Sequence, residues 1–278
     1  MIKRIIALML VVVLLLSGNV FAADTYGGYN VPVDIDVNGS FIKCTEKPIM
    51  IDGMTYIPLR AFSDAIGGVI EWNENEMTAT LNKDGHSVVF FPEKKYCLVN
   101  GVEKDYMSVF YNDLTFVPVR ALTEALGYDV EWDDFYLTVK ITAPGIIISD
   151  VYKDNSYTYE DILYLGKITQ IESGYQYFDV KLGVAATVMN RVKSSKFPNT
   201  VKEVIFDTKY GVQFPPVHTD KINSVPSGDS IVAAKCALNG VNPVRNSLYF
   251  IDIRNAASSW AHKNRPHYTT IYDMFFYE

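Results

Sequence analysis

Met54-Thr55-Tyr56-Ile57-Pro58-Leu59-Arg60-Ala61-Phe62 returns 60 residues later as Leu114-Thr115-Phe116-Val117-Pro118-Val119-Arg120-Ala121-Leu122. Gly67, Glu71, Trp72 and Thr78 recur at the same offset as Gly127, Glu131, Trp132 and Thr138. Self-similarity at a fixed period means two copies of one supersecondary unit. In each copy a β-branched and aromatic run reads as a strand. The proline behind it suits the first turn of a helix, where its missing N–H is not needed. Leu59, Phe62 and Ile66 then share one helical face, as do Val119, Leu122 and Leu126. Gly67 and Gly127 stand where a left-handed residue ends a helix without a Cβ clash. A hairpin closes each copy, in the first from residues 69–72 and 77–81 around the polar turn 73–76.

The repeat offers little chemistry. Arg60 with Glu71, and Arg120 with Glu131, read as structural ion pairs ahead of anion sites. Trp72 and Trp132, at one place in both copies, read as buried packing anchors ahead of sugar-stacking platforms.

These repeats resemble the copper amine oxidase N-terminal-like domain of many exported bacterial proteins, over residues 36–141. The resemblance implies a non-catalytic α+β stalk or attachment module. Despite the family's name no copper is expected, because the segment holds one histidine, His86, and no cluster of metal ligands.

On the N-terminal side, Lys3 and Arg4 precede an apolar run over residues 5–16, then Ser17, Gly18 and Val20-Phe21-Ala22-Ala23. This pattern reads as a cleavable signal peptide, residues 1–23. The run falls short of the roughly 20 residues that span a bilayer, so no stable membrane anchor is expected after cleavage. The expected location is secreted.

The chain has 278 residues, 49% of them hydrophobic and 21% charged, enough apolar surface for two folded domains. A formal charge of -7 argues against nucleic acid as a partner, which calls for basic surface. Residues 24–141 carry 9 Lys and Arg against 19 Asp and Glu, whereas residues 142–278 carry 14 against 13. The acidic first half should not adhere to an anionic wall by charge; the nearly neutral second half would tolerate one. Residues 142–157 read as the linker, with Ile146-Ile147-Ile148 suggesting that it packs. Cys44, Cys97 and Cys236 form no CxxC pattern, and an odd number cannot pair completely.

Past the linker, Thr158-Tyr159-Glu160-Asp161 has capping-box spacing, so a helix should start there, run to Ser173 and stop at Gly174. Leu165, Ile168 and Glu172 stand at i, i+3 and i+7, which puts a carboxylate on the apolar face. Burial would raise its pKa and keep it protonated as a general acid; the alternative is a helix-end glutamate reaching water or a lysine. A second helix over residues 179–193 is rich in small residues and should pack closely. Its Asn190-Arg191 either touches substrate or ties down the loop that follows. Tyr210-Gly211-Val212-Gln213-Phe214-Pro215-Pro216 has the makings of a rigid loop presenting side chains.

Other patterns fail. GxSxG, HExxH and a glycine-rich phosphate loop are absent, and Cys236 sits in an apolar helical stretch as an inert thiol. His218-Thr219-Asp220 with His262 and His267 is the best metal candidate, but scattered histidines argue poorly for zinc, and neither metal nor cofactor is expected.

Ile171-Glu172-Ser173-Gly174, Leu182-Gly183-Val184-Ala185-Ala186-Thr187-Val188-Met189-Asn190-Arg191-Val192, Phe197-Pro198-Asn199-Thr200, Gly211-Val212-Gln213-Phe214 and Ser247-Leu248-Tyr249-Phe250 follow in order. Together they resemble the cell wall hydrolase family that includes the spore-cortex-lytic enzymes, over residues 158–278. The resemblance implies a mainly helical, lysozyme-like domain whose catalytic glutamate ends the first helix, the position of Glu172. Some members carry a second glutamate where this chain has Gln176, and a Gly-Asn-His-like turn where it has Tyr272-Asp273-Met274.

The expected fold is therefore α+β, a two-copy repeat domain followed by a mainly helical one. The expected function is cleavage of peptidoglycan glycan strands between N-acetylmuramic acid and N-acetylglucosamine. Glu172 is the expected acid, and Gln176, Gln213, Phe214 and Tyr249 are the expected substrate-binding residues. Two-carboxylate hydrolysis would need a second acid, for which only Asp179 stands near and without motif support, so lytic transglycosylation is favoured. The rivals are a zinc amidase or peptidase on the peptide stems, and a non-catalytic wall-binding protein. For the first domain the expected partner is the wall or another exported protein.

Overall fold

The structure, a computed structural model, describes residues 25–278 apart from Glu93 and Tyr210. The expected signal peptide lies outside the described residues. Among them, no helix is long and apolar enough to cross a membrane.

The two copies of the repeat face each other. Their strands Met54–Pro58 and Leu114–Pro118 pair antiparallel, Ile57 opposite Val117, at the centre of a four-stranded sheet flanked by Ile49–Ile51 and Val109–Tyr111. Each strand runs into a short helix, α1 (Leu59–Ile66) and α2 (Val119–Leu126), with Pro58 and Pro118 at the N-caps. Gly67 and Gly127 end them at φ 72° and 67°, the left-handed conformation the sequence calls for. Phe62 and Leu122 are completely buried in one apolar core that both copies share.

The hairpins then diverge. The first, Val69–Asn73 with Thr78–Lys83, continues through three more strands into a five-stranded meander with Val69–Asn73 at its edge. The second, Asp129–Asp133 with Thr138–Thr142, is completed by Asp34–Val37, which lies parallel to Thr138–Thr142. Two expectations fail here. Trp72 is 48% exposed, because its edge strand has no layer over its outer face, while Trp132 packs against the core only in part. Arg60 and Arg120 are exposed, and among the described residues neither forms an ion pair with Glu71 or Glu131. A solvated strand face and a solvated helix start gain little by such a pairing.

The linker packs, as Ile146-Ile147-Ile148 suggested: Ala143 and Ile148 are buried in the N-terminal core, although Ile147 is exposed. Beyond it, α3 (Tyr159–Ser173) opens with the complete capping box of Thr158 and Asp161 and closes at Gly174. It packs with α4 (Phe178–Lys193) and α6 (Gly228–Leu238), and the short α5 (Val201–Ile205) closes the bundle. Gly183 on α4 is a close-approach position, where a Cβ would stand 2.6 Å from Phe276. Phe276 belongs to a three-stranded antiparallel sheet in which Met274–Tyr277 lies between Tyr249–Asp252 and His267–Ile271. The fold is α+β, with a β-rich repeat domain first and a mainly helical domain second.

A buried polar seam joins the halves. Lys235 of α6, with no exposed side-chain surface, donates to the carbonyls of Tyr136 (2.6 Å) and Leu137 (2.8 Å) and sits 2.9 Å from Asp34 Oδ2. Tyr157 donates to Asp34 Oδ1 and Tyr159 to Asp36 Oδ2, each at 2.7 Å. Burial pushes the Lys235 ammonium below its ordinary pKa while Asp34 pulls it back up.

Candidate active site

Glu172 occupies the last turn of α3, and its surroundings hold that turn from three sides. Gln170, two residues earlier, accepts through Oε1 from Ser227 Oγ (2.6 Å) and Ser230 Oγ (2.9 Å) at the start of α6. Gly174, two residues later, has φ 50°, and its carbonyl accepts from the buried Lys181 of α4. Ser173 is tied back to the Thr169 carbonyl. The carboxylate therefore projects from a turn fixed by the whole bundle.

It projects into a cavity of about 530 Å³ that Gln176, Arg191, Gln213, Phe214 and Asp252 also line. Glu172 Oε1 is buried and has no hydrogen-bond partner among the described residues. Burial raises its pKa, and the charges of Arg191 and Lys221 oppose the rise without cancelling it. A carboxyl held above its ordinary range is protonated over a wider span of pH, as a general acid needs to be.

Of the Asn190-Arg191 pair, Arg191 is the one that reaches the cavity. It is 4% exposed and caged by aromatic rings, its guanidinium carbon 4.9 Å from the Phe214 centroid, 5.0 Å from Phe197 and 5.6 Å from Tyr249. Nε donates to the Leu248 carbonyl at 2.7 Å, which leaves Nη1 buried and unpartnered. Burial pushes its pKa down to about 10, still a cation at neutral pH, and Tyr249, Asp207 and Glu172 favour that charge. The cage combines cation–π attraction with exclusion of water.

Among the sequence candidates, Gln176, Gln213 and Phe214 line the cavity with Glu172, whereas Tyr249 stands against Arg191. Phe214 is 2% exposed and Gln213 donates to the Gly211 carbonyl. Asn190 turns away from the cavity, donating to the carbonyls of Arg245 and Ser247. Sequence reasoning missed Asp252, which ends its strand at the cavity wall in a two-bond pair with Arg254, at 2.8 and 2.6 Å. That pairing holds its carboxyl below the usual range. The available signal was its place at the end of the strand that begins at Tyr249. Asp179 does not line the cavity.

The histidines do not converge: His262 bonds the Tyr277 hydroxyl, His267 bonds Thr270, and His218 packs on Phe206. No group of three or more His, Cys, Asp or Glu side chains among the described residues is placed to hold a metal. The donors of the repeat domain do not fit copper either, His86 being alone and exposed and Cys97 fully buried. Cys236 is buried too, and burial lifts its thiol to about 11. A cleft of about 570 Å³ opens in the repeat domain beside Arg120 and Trp132, but its acids, Asp52 and Glu131, are exposed.

Comparison with known proteins bears on both halves. A family model described as copper amine oxidase N-terminal domain matches residues 36–141 and, overlapping, 105–182. One described as cell wall hydrolase matches residues 176–277. The chain joins a copper amine oxidase N-terminal domain to a cell wall hydrolase domain. A spore cortex-lytic enzyme of Bacillus cereus is 34% identical over 106 residues, which are 38% of this chain and 40% of that protein. Its counterpart in Bacillus subtilis is 29% identical over 104 residues, 37% and 33% of the two chains. The chain thus spans about two fifths or less of these curated relatives. A solved structure, the catalytic domain of the germination-specific lytic transglycosylase SleB from Bacillus anthracis, is 31% identical. It covers 45% of this chain and 99% of its own, at a TM-score of 0.41. The hydrolase match begins at Gln176, so Glu172 lies just ahead of it and rests on its own geometry.

Proposed function

We propose that this is an exported peptidoglycan-cleaving enzyme acting on the bond between N-acetylmuramic acid and N-acetylglucosamine, with Glu172 as its acid and base. The observation that carries the reading is Glu172 itself, whose Oε1 is buried and without a hydrogen-bond partner among the described residues while the residue lines a cavity with the caged cation Arg191. Similarity of the hydrolase domain to spore cortex-lytic enzymes supports the substrate class.

Protonated Glu172 gives its proton to the glycosidic oxygen as the bond to C1 breaks. The muramic C6 hydroxyl then attacks C1, a C1–O6 bond forms, and the hydroxyl proton returns to Glu172. No water is consumed, and the product ends in a 1,6-anhydro ring. Between the two transfers Glu172 is an anion in a site of low polarity, and Arg191 supplies the charge that makes this tolerable. Gln176 and Gln213 offer amides to the sugars, while Phe214 and Tyr249 act mainly through the plane in which they hold Arg191.

Asp252 favours a second reading, hydrolysis, because an ionised carboxylate on the same cavity could activate water. Mass analysis of products from digested sacculi separates the two. Anhydro ends are expected, and reducing ends throughout would transfer the second role to Asp252. For the repeat domain, acidic and free of buried unpaired charge in its cleft, the proposed role is attachment to uncharged glycan or to another exported protein.

A further inference from the structure

Beside the catalytic cavity stands a feature that cleavage itself does not use. Tyr177, at the N-cap of α4, is 65% exposed, and Tyr272 is 55% exposed. Their rings stack, with centroids 4.3 Å apart and planes 26° from parallel. Tyr175 is fully exposed. Neither ring lines the cavity, but each has a near neighbour in sequence that does: Gln176 next to Tyr177, and Met274 two residues beyond Tyr272.

Tyr272 is also an outlier of backbone geometry. It sits at φ 48° in the turn between His267–Ile271 and Met274–Tyr277. That left-handed conformation suits glycine or asparagine, and a bulky residue there works against the stability of the turn. Neither burial nor turn chemistry accounts for the tyrosine, since its ring is mostly in solvent and its backbone is disfavoured. Strain kept beside a cavity is motive to look for a ligand.

We propose that the Tyr177–Tyr272 pair is a sugar-stacking subsite, taking one N-acetylhexosamine ring of a glycan strand beyond the bond being cleaved. A pyranose presents a face of C–H groups that packs on an aromatic face, and its hydroxyls stay in water, which suits an exposed platform and not a buried pocket. With 65% and 55% of their surface in solvent, the two stacked side chains keep ring surface available to such a face. The proposal rests on the glycan reading of the cavity, and it makes the enzyme sensitive to strand length.

The test uses the full chain, Tyr272→Gly, Tyr272→Phe and peptide-free glycan fragments of two to eight sugars prepared from peptidoglycan. Calorimetric binding is measured alongside cleavage. Tyr272→Gly should melt no lower than the parent, because it relieves the turn, yet bind and cleave the longest strands about tenfold less well. The shortest cleavable fragment should be handled as by the parent, and Tyr272→Phe should behave as the parent throughout. Unchanged binding of long strands by Tyr272→Gly would overturn the proposal, as would an equal loss at every length. If the parent binds long strands in a Tyr272-dependent way but cleaves none, the subsite stands and the catalytic reading fails. If the parent binds no strand, both fail.

Discussion

The two halves of this chain spend buried charge differently. The repeat domain keeps an apolar interior, and its buried acids, Asp34 and Asp36, face the seam, where Tyr157, Tyr159 and Lys235 satisfy them. The hydrolase domain also buries Lys181, Arg191 and part of Glu172, and at its cavity two of these end in unpartnered atoms. Removing a charge from water costs about the same in either place. At the seam the fold closes the circuit by charge, Asp34 Oδ2 lying 2.9 Å from the Lys235 ammonium though in no hydrogen bond, and the charge serves stability and fit. At the cavity it leaves the circuit open, which stability alone would not select. An unfinished buried pair is thus a better marker of chemistry here than any count of charged residues.

Glu172→Gln is the strongest challenge to that contrast. It keeps the shape and cannot donate the proton, so muropeptide release should fall about 10²–10⁴-fold. Stability should move the other way. Because burial raises the Glu172 pKa above its ordinary 4.5, the parent has its full stability below that value and loses some as pH rises through the folded pKa. The glutamine protein should therefore melt higher than the parent at pH 8, with the gap closing by pH 4. A lower melting temperature at pH 8 would mean that Glu172 is a structural partner and not an open one.

The seam makes the opposite prediction. Lys235→Met leaves Asp34 and two carbonyls buried without their cation, and breaking such a pair costs about 3–5 kcal/mol. Urea titration should register that loss, while turnover per folded molecule stays at the parent value, because Lys235 does not line the cavity. A chain shortened to residues 143–278 should likewise retain its chemistry and lose stability, since it discards Asp34. If Lys235→Met unfolds at the parent midpoint, the seam is not the completed circuit described here.

What could be read in the sequence follows the same divide. Helix ends are local: Thr158 with Asp161, Gly67, Gly127 and Gly174 each declare a boundary within a few residues, and the structure keeps all of them. Glu172 was legible because its spacing from Leu165 and Ile168 is a property of one helix. The seam was not, because Asp34 and Lys235 meet only after both domains have closed, and no short pattern links them. Trp72 misled for a related reason, since periodicity reports which side of a strand a residue takes and not whether another layer covers that side. Arg191 could be read only as far as its neighbours in α4. Its cage draws on Phe197, Phe214 and Tyr249 from three later segments. Asp252 was hidden by the same dependence on tertiary closure.

The smallest expected effect separates buried from solvated charge at the cavity itself. Arg191 and Lys221 both pull the Glu172 pKa down, the first from inside its cage and the second from the surface. Replacing Lys221 by alanine removes only the solvated contribution, so the Glu172 pKa should rise further. An acid catalyst fails as pH climbs past its pKa, so the alkaline limb of the activity profile should move to higher pH. An exposed charge acts through water, so the displacement should be small and visible only at low ionic strength. Salt screens such a charge over about 3 Å at 1 M, so the variant and the parent should coincide there. The Arg191 contribution, shielded by three rings, should persist in salt, so the variant's alkaline limb should stay nearly fixed from low to high ionic strength while the parent's rises to meet it. A limb that moves to lower pH in Lys221→Ala would show that Lys221 acts on some other group. A displacement that survives 1 M salt would place Lys221 inside the cavity's field, and the distinction between the two cations would be lost.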